Sequence, residues 1–202
     1  MLRGGGLVLR RSVEVSLDSA KKRMDQGLEV VPYNPDWSRA FRAERDRIAA
    51  ALGAFAVRID HNGSTSVPGL AAKPIVDIQI SVERLHPIEA YAPGLVQLGY
   101  LHVPHPDDAR CPFFHRPAAW PHTHHVHVVH AGGDEERRTL AFRDYLREHS
   151  DAAHEYADLK RRLAPQYSAA TFSSRQAYAE AKADFITRIT ECALALGYPR
   201  EL

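Results

Sequence analysis

Apolar and polar residues alternate most cleanly over residues 75–82. Val76, Ile78, Ile80 and Val82 fall on one side, and Ile75, Asp77, Gln79 and Ser81 on the other. A period of two predicts a strand with one greasy and one polar face, and Asp77 and Gln79 share the polar one. Phe55, Val57, Ile59 and His61 alternate with Ala56, Arg58, Asp60 and Asn62, which predicts an earlier strand. Between the two lies a small-residue turn, Gly63-Ser64-Thr65-Ser66, and the chain breaks again at Pro68-Gly69. Upstream, Trp37, Phe41, Ile48 and Leu52 recur at helical spacing. Asn34 and Pro35 stand where an N-cap and a first-turn proline belong, and Gly53 ends the helix. Glu44 lies beside that stripe, facing either solvent or a cleft.

Downstream, Leu85, Ile88, Leu95 and Leu98 predict a helix against the sheet, interrupted near Pro93-Gly94. Strands are predicted from Gly99, over residues 111–116 and over residues 123–130. The last third reads as helical. Asp134-Glu135-Glu136 suits a helix start, and Phe142, Tyr145, Leu146 and His149 form an inner stripe. Ser150 or Asp151 is expected to cap the next helix, and Pro165 to stop it. Ser173 and Gln176 resemble a capping box. A final helix is expected to bury Tyr178, Phe185, Ile189, Cys192 and Leu196.

Candidate chemistry gathers around the turn. Gly63 lets the backbone approach a ligand closely, and Ser64, Thr65 and Ser66 offer small hydroxyls suited to holding a phosphate. Lys73 is a positive charge close to that place, and Arg116 ends its strand with a guanidinium able to grip phosphate in two-pronged fashion. A carboxylate such as Asp77 beside an anion site calls for a cation between them, usually Mg²⁺. The plain alternative is a hairpin with a solvated acidic residue. His61 reads as a histidine bracing the loop.

Eight of the twelve histidines fall between His102 and His130. In a strand, His125 and His127 share a face, while His124 and His130 share the other with Val126 and Val128. Two imidazoles with Asp77 would suit Zn²⁺ or Mn²⁺, or act as an acid/base pair. The alternative is cross-bracing by hydrogen bonds. Arg143, Lys160 and Lys182 recur beside the helical stripes and are candidates to wall a polyphosphate cleft.

The 202 residues suffice for one well-cored domain, residues 28–202, with residues 1–27 as a loosely held extension. Lys plus Arg number 26 against 25 Asp plus Glu, which leaves no broad footprint for duplex nucleic acid. Cys111 and Cys192 lie far apart and form no metal-type pair, as in a reduced cytoplasmic protein. No apolar run is long enough for a membrane span. The oligomeric state is not legible.

The string His61-Asn62-Gly63-Ser64-Thr65-Ser66-Val67-Pro68-Gly69-Leu70-Ala71-Ala72-Lys73-Pro74-Ile75-Val76-Asp77-Ile78 resembles the GrpB family, a branch of the polymerase-β-type nucleotidyltransferases. The resemblance continues at residues 33–37, 125–128, 142–147, 159–160 and 178–182, and covers roughly residues 29 to 195. In some proteins of the family this domain is fused to dephospho-CoA kinase. It implies an α/β (α+β) fold, a small mixed sheet flanked by helices. It also implies a nucleotide or phosphorylated metabolite with a divalent metal, Mg²⁺ or Mn²⁺ first and Zn²⁺ as an alternative. Asp77, Gln79, His125 and His127 are then the expected ligands, with His125 or His127 standing where a third carboxylate is usual. Gln79 departs from the wider superfamily, which has a second carboxylate there, and so the two-metal mechanism is in question. Three functions stay open: nucleotidyl or phosphoryl transfer to a small acceptor, a nucleotide-binding module without turnover, and a histidine–metal enzyme acting on another small metabolite.

Overall fold

Residues 76–82 form an inner strand of a five-stranded sheet in a computed structural model that describes residues 28–169 and 171–200. The extension expected over residues 1–27 lies outside the described residues. The strands are β1 (Arg58–Asn62), β2 (Val76–Val82), β3 (Leu101–His102), β4 (Phe113–Arg116) and β5 (His124–His130). Their order is β1-β2-β5-β4-β3. β2 and β5 run parallel, and the other pairs are antiparallel, so the sheet is mixed. Six α-helices accompany it among the described residues: α1 (Asp36–Leu52), α2 (Ala92–Gln97), α3 (Asp134–Glu148), α4 (Ser150–Leu163), α5 (Phe172–Glu180) and α6 (Ala183–Ala195). None of these helices is long and apolar enough to cross a membrane.

One face of the sheet carries Ile78, Ile80, Val126, Val128 and Phe114, all fully buried, packed with Ile48 and Leu52 of α1 and Leu95 of α2. Each such aliphatic side chain contributes roughly 1.5–3 kcal/mol by leaving water. The opposite face carries Asp77 and Gln79 beside His125 and His127, in register. It is covered too, because Gln79 and Ser81 are fully buried. Helix α3 lies over it, and Glu136 accepts from Ser81 Oγ and, at 2.6 Å, from the Gly132 N–H.

Several local expectations need correction. The first strand begins only at Arg58, because residues 53–55 form a 3-10 turn, which leaves Phe55 and Val57 exposed. Pro93 does not interrupt a helix but opens one, α2, in its first turn. His149, not Ser150 or Asp151, occupies the N-cap of α4. Thr171 caps α5, its Oγ1 accepting from Ser174 N at 3.2 Å, in place of the expected Ser173–Gln176 box. The final helix is two helices with a joint at residues 181–182. In the second of them the 3.6-residue period carries the buried face from Phe185 and Ile189 to Thr190 and Ala193, so Cys192 is exposed, as is Leu196 at the helix end.

Candidate functional site

Strand β1 ends at Asn62, and Gly63 turns the chain with φ 63° and ψ −171°. That conformation is open essentially to glycine alone. A Cβ built on Gly63 would lie 2.2 Å from Asp77 Oδ2, so the turn is seated on the carboxylate itself. Residues Ser64–Ser66 then form a short 3-10 turn. His61 holds it from behind: Nε2 lies 3.0 Å from Thr65 Oγ1, and the ring stacks on Phe41 at 4.7 Å. Burial pushes the His61 imidazole down to about 4. It therefore braces the loop as a neutral ring.

A cavity of about 450 Å³ opens above the turn. Such a volume suits a small-molecule ligand. Gly63, Ser64 and Thr65 line one side of it, with Asp77, His125 and His127 on the sheet floor. Lys73, Lys160 and Lys182 line it as well, from the loop before β2, from α4 and from the α5–α6 joint. Phe142, Tyr156 and Ile186 supply an apolar wall. The serine-rich turn and Asp77 thus face the same space.

The lysines are held by aromatic rings and hydroxyls. Lys160 is 3% exposed. It donates to Ser64 Oγ at 3.0 Å and to Ala71 O at 2.5 Å, and lies 4.5 Å from the Tyr156 ring centroid. Lys182 and Lys73 approach the ring of Tyr178 at 4.2 and 5.2 Å. Burial pushes Lys160 down to about 7, with the Lys182 charge adding to the effect. Burial, with repulsion from Lys73, likewise brings Lys182 to about 7. Burial lowers Lys73 as well, with the Arg175 charge adding to it and Asp77 opposing it.

On the floor, His125 Nδ1 lies 3.3 Å from Asp77 Oδ1. Its Nε2 lies 3.0 Å from His122 Nδ1, and His122 stacks on His115 at 3.8 Å. Burial pushes the Asp77 carboxyl up. The hydrogen bond from His125 and the charges of His125, His127 and Lys73 outweigh it, so the group stays below the usual carboxylate range. His127 turns Nδ1 toward Cys111 Sγ at 3.7 Å, and burial pushes it down to about 4.

Four candidates lie elsewhere. Arg116 alternates away from His115, onto the other face of the sheet. There it donates to Glu44 Oε2 at 3.0 Å and to Leu98 O at 3.1 Å, and covers the Tyr100 ring. Arg143 is bound to Asp144, Asp60 and His61 O, and lines a separate cavity with Arg58 and Arg147. Ser66 points back, donating to Gly63 O at 2.6 Å. Gln79 is sealed beneath the cavity; its Oε1 accepts from Asn62 at 3.1 Å and from Thr139 at 2.5 Å. Arg116→Ala should therefore destabilise the fold by about 2–4 kcal/mol, because the buried Glu44 loses a partner. Chemical denaturation measures that loss, and phosphate binding should stay unchanged.

Each expected metal ligand meets a protein group with at least one of its polar atoms. Gln79 Oε1 is engaged, His127 Nδ1 faces Cys111, and Asp77 is bonded to His125. Among the described residues no three His, Cys, Asp or Glu side chains are grouped to hold a metal ion. Residues that sequence reasoning missed are His122, the aromatic holders Tyr156 and Tyr178, and Glu135 and Arg138 at the cavity rim. Both tyrosines fall on apolar helical stripes and read as core. His122 stands just outside the strand, and only the density of histidines there marked it.

Comparison with known proteins agrees with this architecture. A family model described as GrpB protein matches residues 27–192. An UPF0157 protein of Halalkalibacterium halodurans is 36% identical, with 90% of each chain covered. Another of Pseudomonas aeruginosa is 38% identical over 85% of this chain and 69% of its own length. Among solved structures, the conserved protein GrpB from Enterococcus faecalis superposes with a TM-score of 0.72 at 32% identity. That match covers 83% of this chain and 98% of the other. On the strength of the family match and these relatives, the chain belongs to the GrpB family.

Proposed function

We propose that the cleft binds a nucleoside triphosphate or a related phosphorylated metabolite and transfers its nucleotidyl or phosphoryl group to a small acceptor. One observation carries this reading: Ser64 and three lysines share a single cavity with the Asp77–His125 pair. Ammonium groups and a serine hydroxyl suit phosphate oxygens. The wall of Phe142, Tyr156 and Ile186 suits a flat heteroaromatic base. In nucleotidyl transfer, an acceptor oxygen or nitrogen bonds to the α-phosphorus, and the bond to pyrophosphate breaks. The acceptor's proton passes to the Asp77–His125 pair, and the lysines stabilise the charge on the leaving group.

A second reading, a nucleotide-binding module without turnover, is favoured by Gln79 and by the low-lying Asp77, which is a weak base. Incubation with each NTP, an acceptor panel and Mg²⁺ or Mn²⁺ separates the two. Pyrophosphate release that is lost in Asp77→Ala supports transfer. Nucleotide binding without release supports the module, and absence of binding ends both.

The lysines set a pH dependence. Lys160 faces Lys182, Arg161, Asp77 and Lys73, and Lys182 faces Lys73 and Asp77. Both are charged below about 7 and lose their protons above it. Affinity for sulfate, a dianion of fixed charge, should fall as pH rises through that value. Unfolded lysine keeps its proton to about 10.4, so between the two values the unfolded chain binds more protons. The contribution of these lysines to the stability of the free protein therefore rises over the same interval. Calorimetric titrations at a series of pH values check the first slope, and flat or rising affinity contradicts it.

A further inference from the structure

Lys73, Lys160 and Lys182 converge on one cavity, and none of them forms an ion pair among the described residues. Their ammonium groups are placed by Tyr178, Tyr156 and Ser64 instead of by carboxylates. Buried cations without anionic partners are costly, and an arriving polyanion relieves that cost.

The acidic side of the cavity is differently arranged. Asp77 is the carboxylate on its floor, and Glu135 is a second carboxylate lining it. Asp77 Oδ1 faces His125 Nδ1, and Oδ2 sits against Gly63 so closely that no Cβ fits. The neighbouring amide, Gln79, gives its oxygen to Asn62 and Thr139. A divalent cation bridging protein to phosphate would have Asp77 Oδ2 as its open oxygen on the floor, and it would sit among three ammonium groups that repel it.

We propose that this cavity holds the phosphate chain of its ligand directly on Lys73, Lys160 and Lys182, with no divalent cation between protein and phosphate. The inference rests on the phosphate reading above and names the charge that serves it. It also reverses the sign expected for Asp77. Where a metal bridges, Asp77 anchors the metal and its loss weakens binding. Where lysines bind alone, Asp77 is a nearby negative charge that repels phosphate.

Calorimetry of the full chain with tripolyphosphate decides the matter, run once in EDTA and once with excess Mg²⁺. Binding is expected in EDTA, no weaker than with Mg²⁺. Asp77→Asn, nearly the same size, is expected to bind about fivefold tighter in EDTA. Lys182→Gln is expected to bind about tenfold weaker. Circular dichroism of both variants shows that they are folded. Binding confined to Mg²⁺, or lost in a folded Asp77→Asn, overturns the inference and leaves the phosphate reading standing. No binding in either condition overturns the phosphate reading and this inference with it.

Discussion

Gly63→Ala is expected to lose stability and phosphate binding together, by about 3 kcal/mol in the first and beyond detection in the second. Two costs combine. The backbone there has φ 63° and ψ −171°, a region that any Cβ strains. The added methyl would also meet Asp77 Oδ2 at 2.2 Å, Cγ at 2.8 Å and Cβ at 2.9 Å. Either the turn lifts from the sheet or Asp77 leaves His125. Lifting the turn pulls Ser64 away from Lys160. Thermal denaturation and tripolyphosphate titration measure the two losses. Adding Asp77→Ala removes the two nearest contacts, so the double variant should recover part of the stability of Gly63→Ala. Strictly additive losses would show that the two residues do not touch.

Lys160→Met is the second large effect, and it falls on binding alone. Tripolyphosphate affinity should drop about 100-fold, equivalent to about 2.7 kcal/mol. Lys160 is 3% exposed and connects Ser64 with Ala71 O, so its charge lies within the cavity wall. Methionine keeps the length and the contact with Tyr156 while removing a charge that burial disfavours. The melting temperature should therefore hold or rise. A variant that unfolds early, or that still binds phosphate at wild-type strength, contradicts this account of Lys160.

The pattern along the chain revealed the floor of the site more completely than its walls. Alternation over residues 76–82 placed Asp77 and Gln79 on one face, and the two-residue spacing of His125 and His127 placed them together. Pairing of β2 with β5 then set Asp77 beside His125. Period alone does not say which strands pair; that neighbourhood was expected from the family resemblance, which sets His125 or His127 where a third carboxylate is usual. Arg116 shows the cost of a one-residue step: His115 shares the face of His125, and Arg116 necessarily takes the other. Arg143 and Lys160 look alike as charges flanking helical stripes. Their separation depends on which way α3 and α4 are turned against the sheet, and that is a tertiary fact. Lys182 was legible as a charge, but its place at a joint between two helices was not, because the apolar spacing runs on through the break. Gln79 stood out as a departure from the expected carboxylate. Its burial and its bonds to Asn62 and Thr139 needed coordinates.

The three ammonium groups reach the cavity from segments far apart along the chain: a loop, the middle of the C-terminal third, and a junction between two helices near its end. A polyanion seated among them would tie those segments to one another as a removable cross-link. Occupancy of the pocket and cohesion of the C-terminal helices would then rise and fall as one quantity.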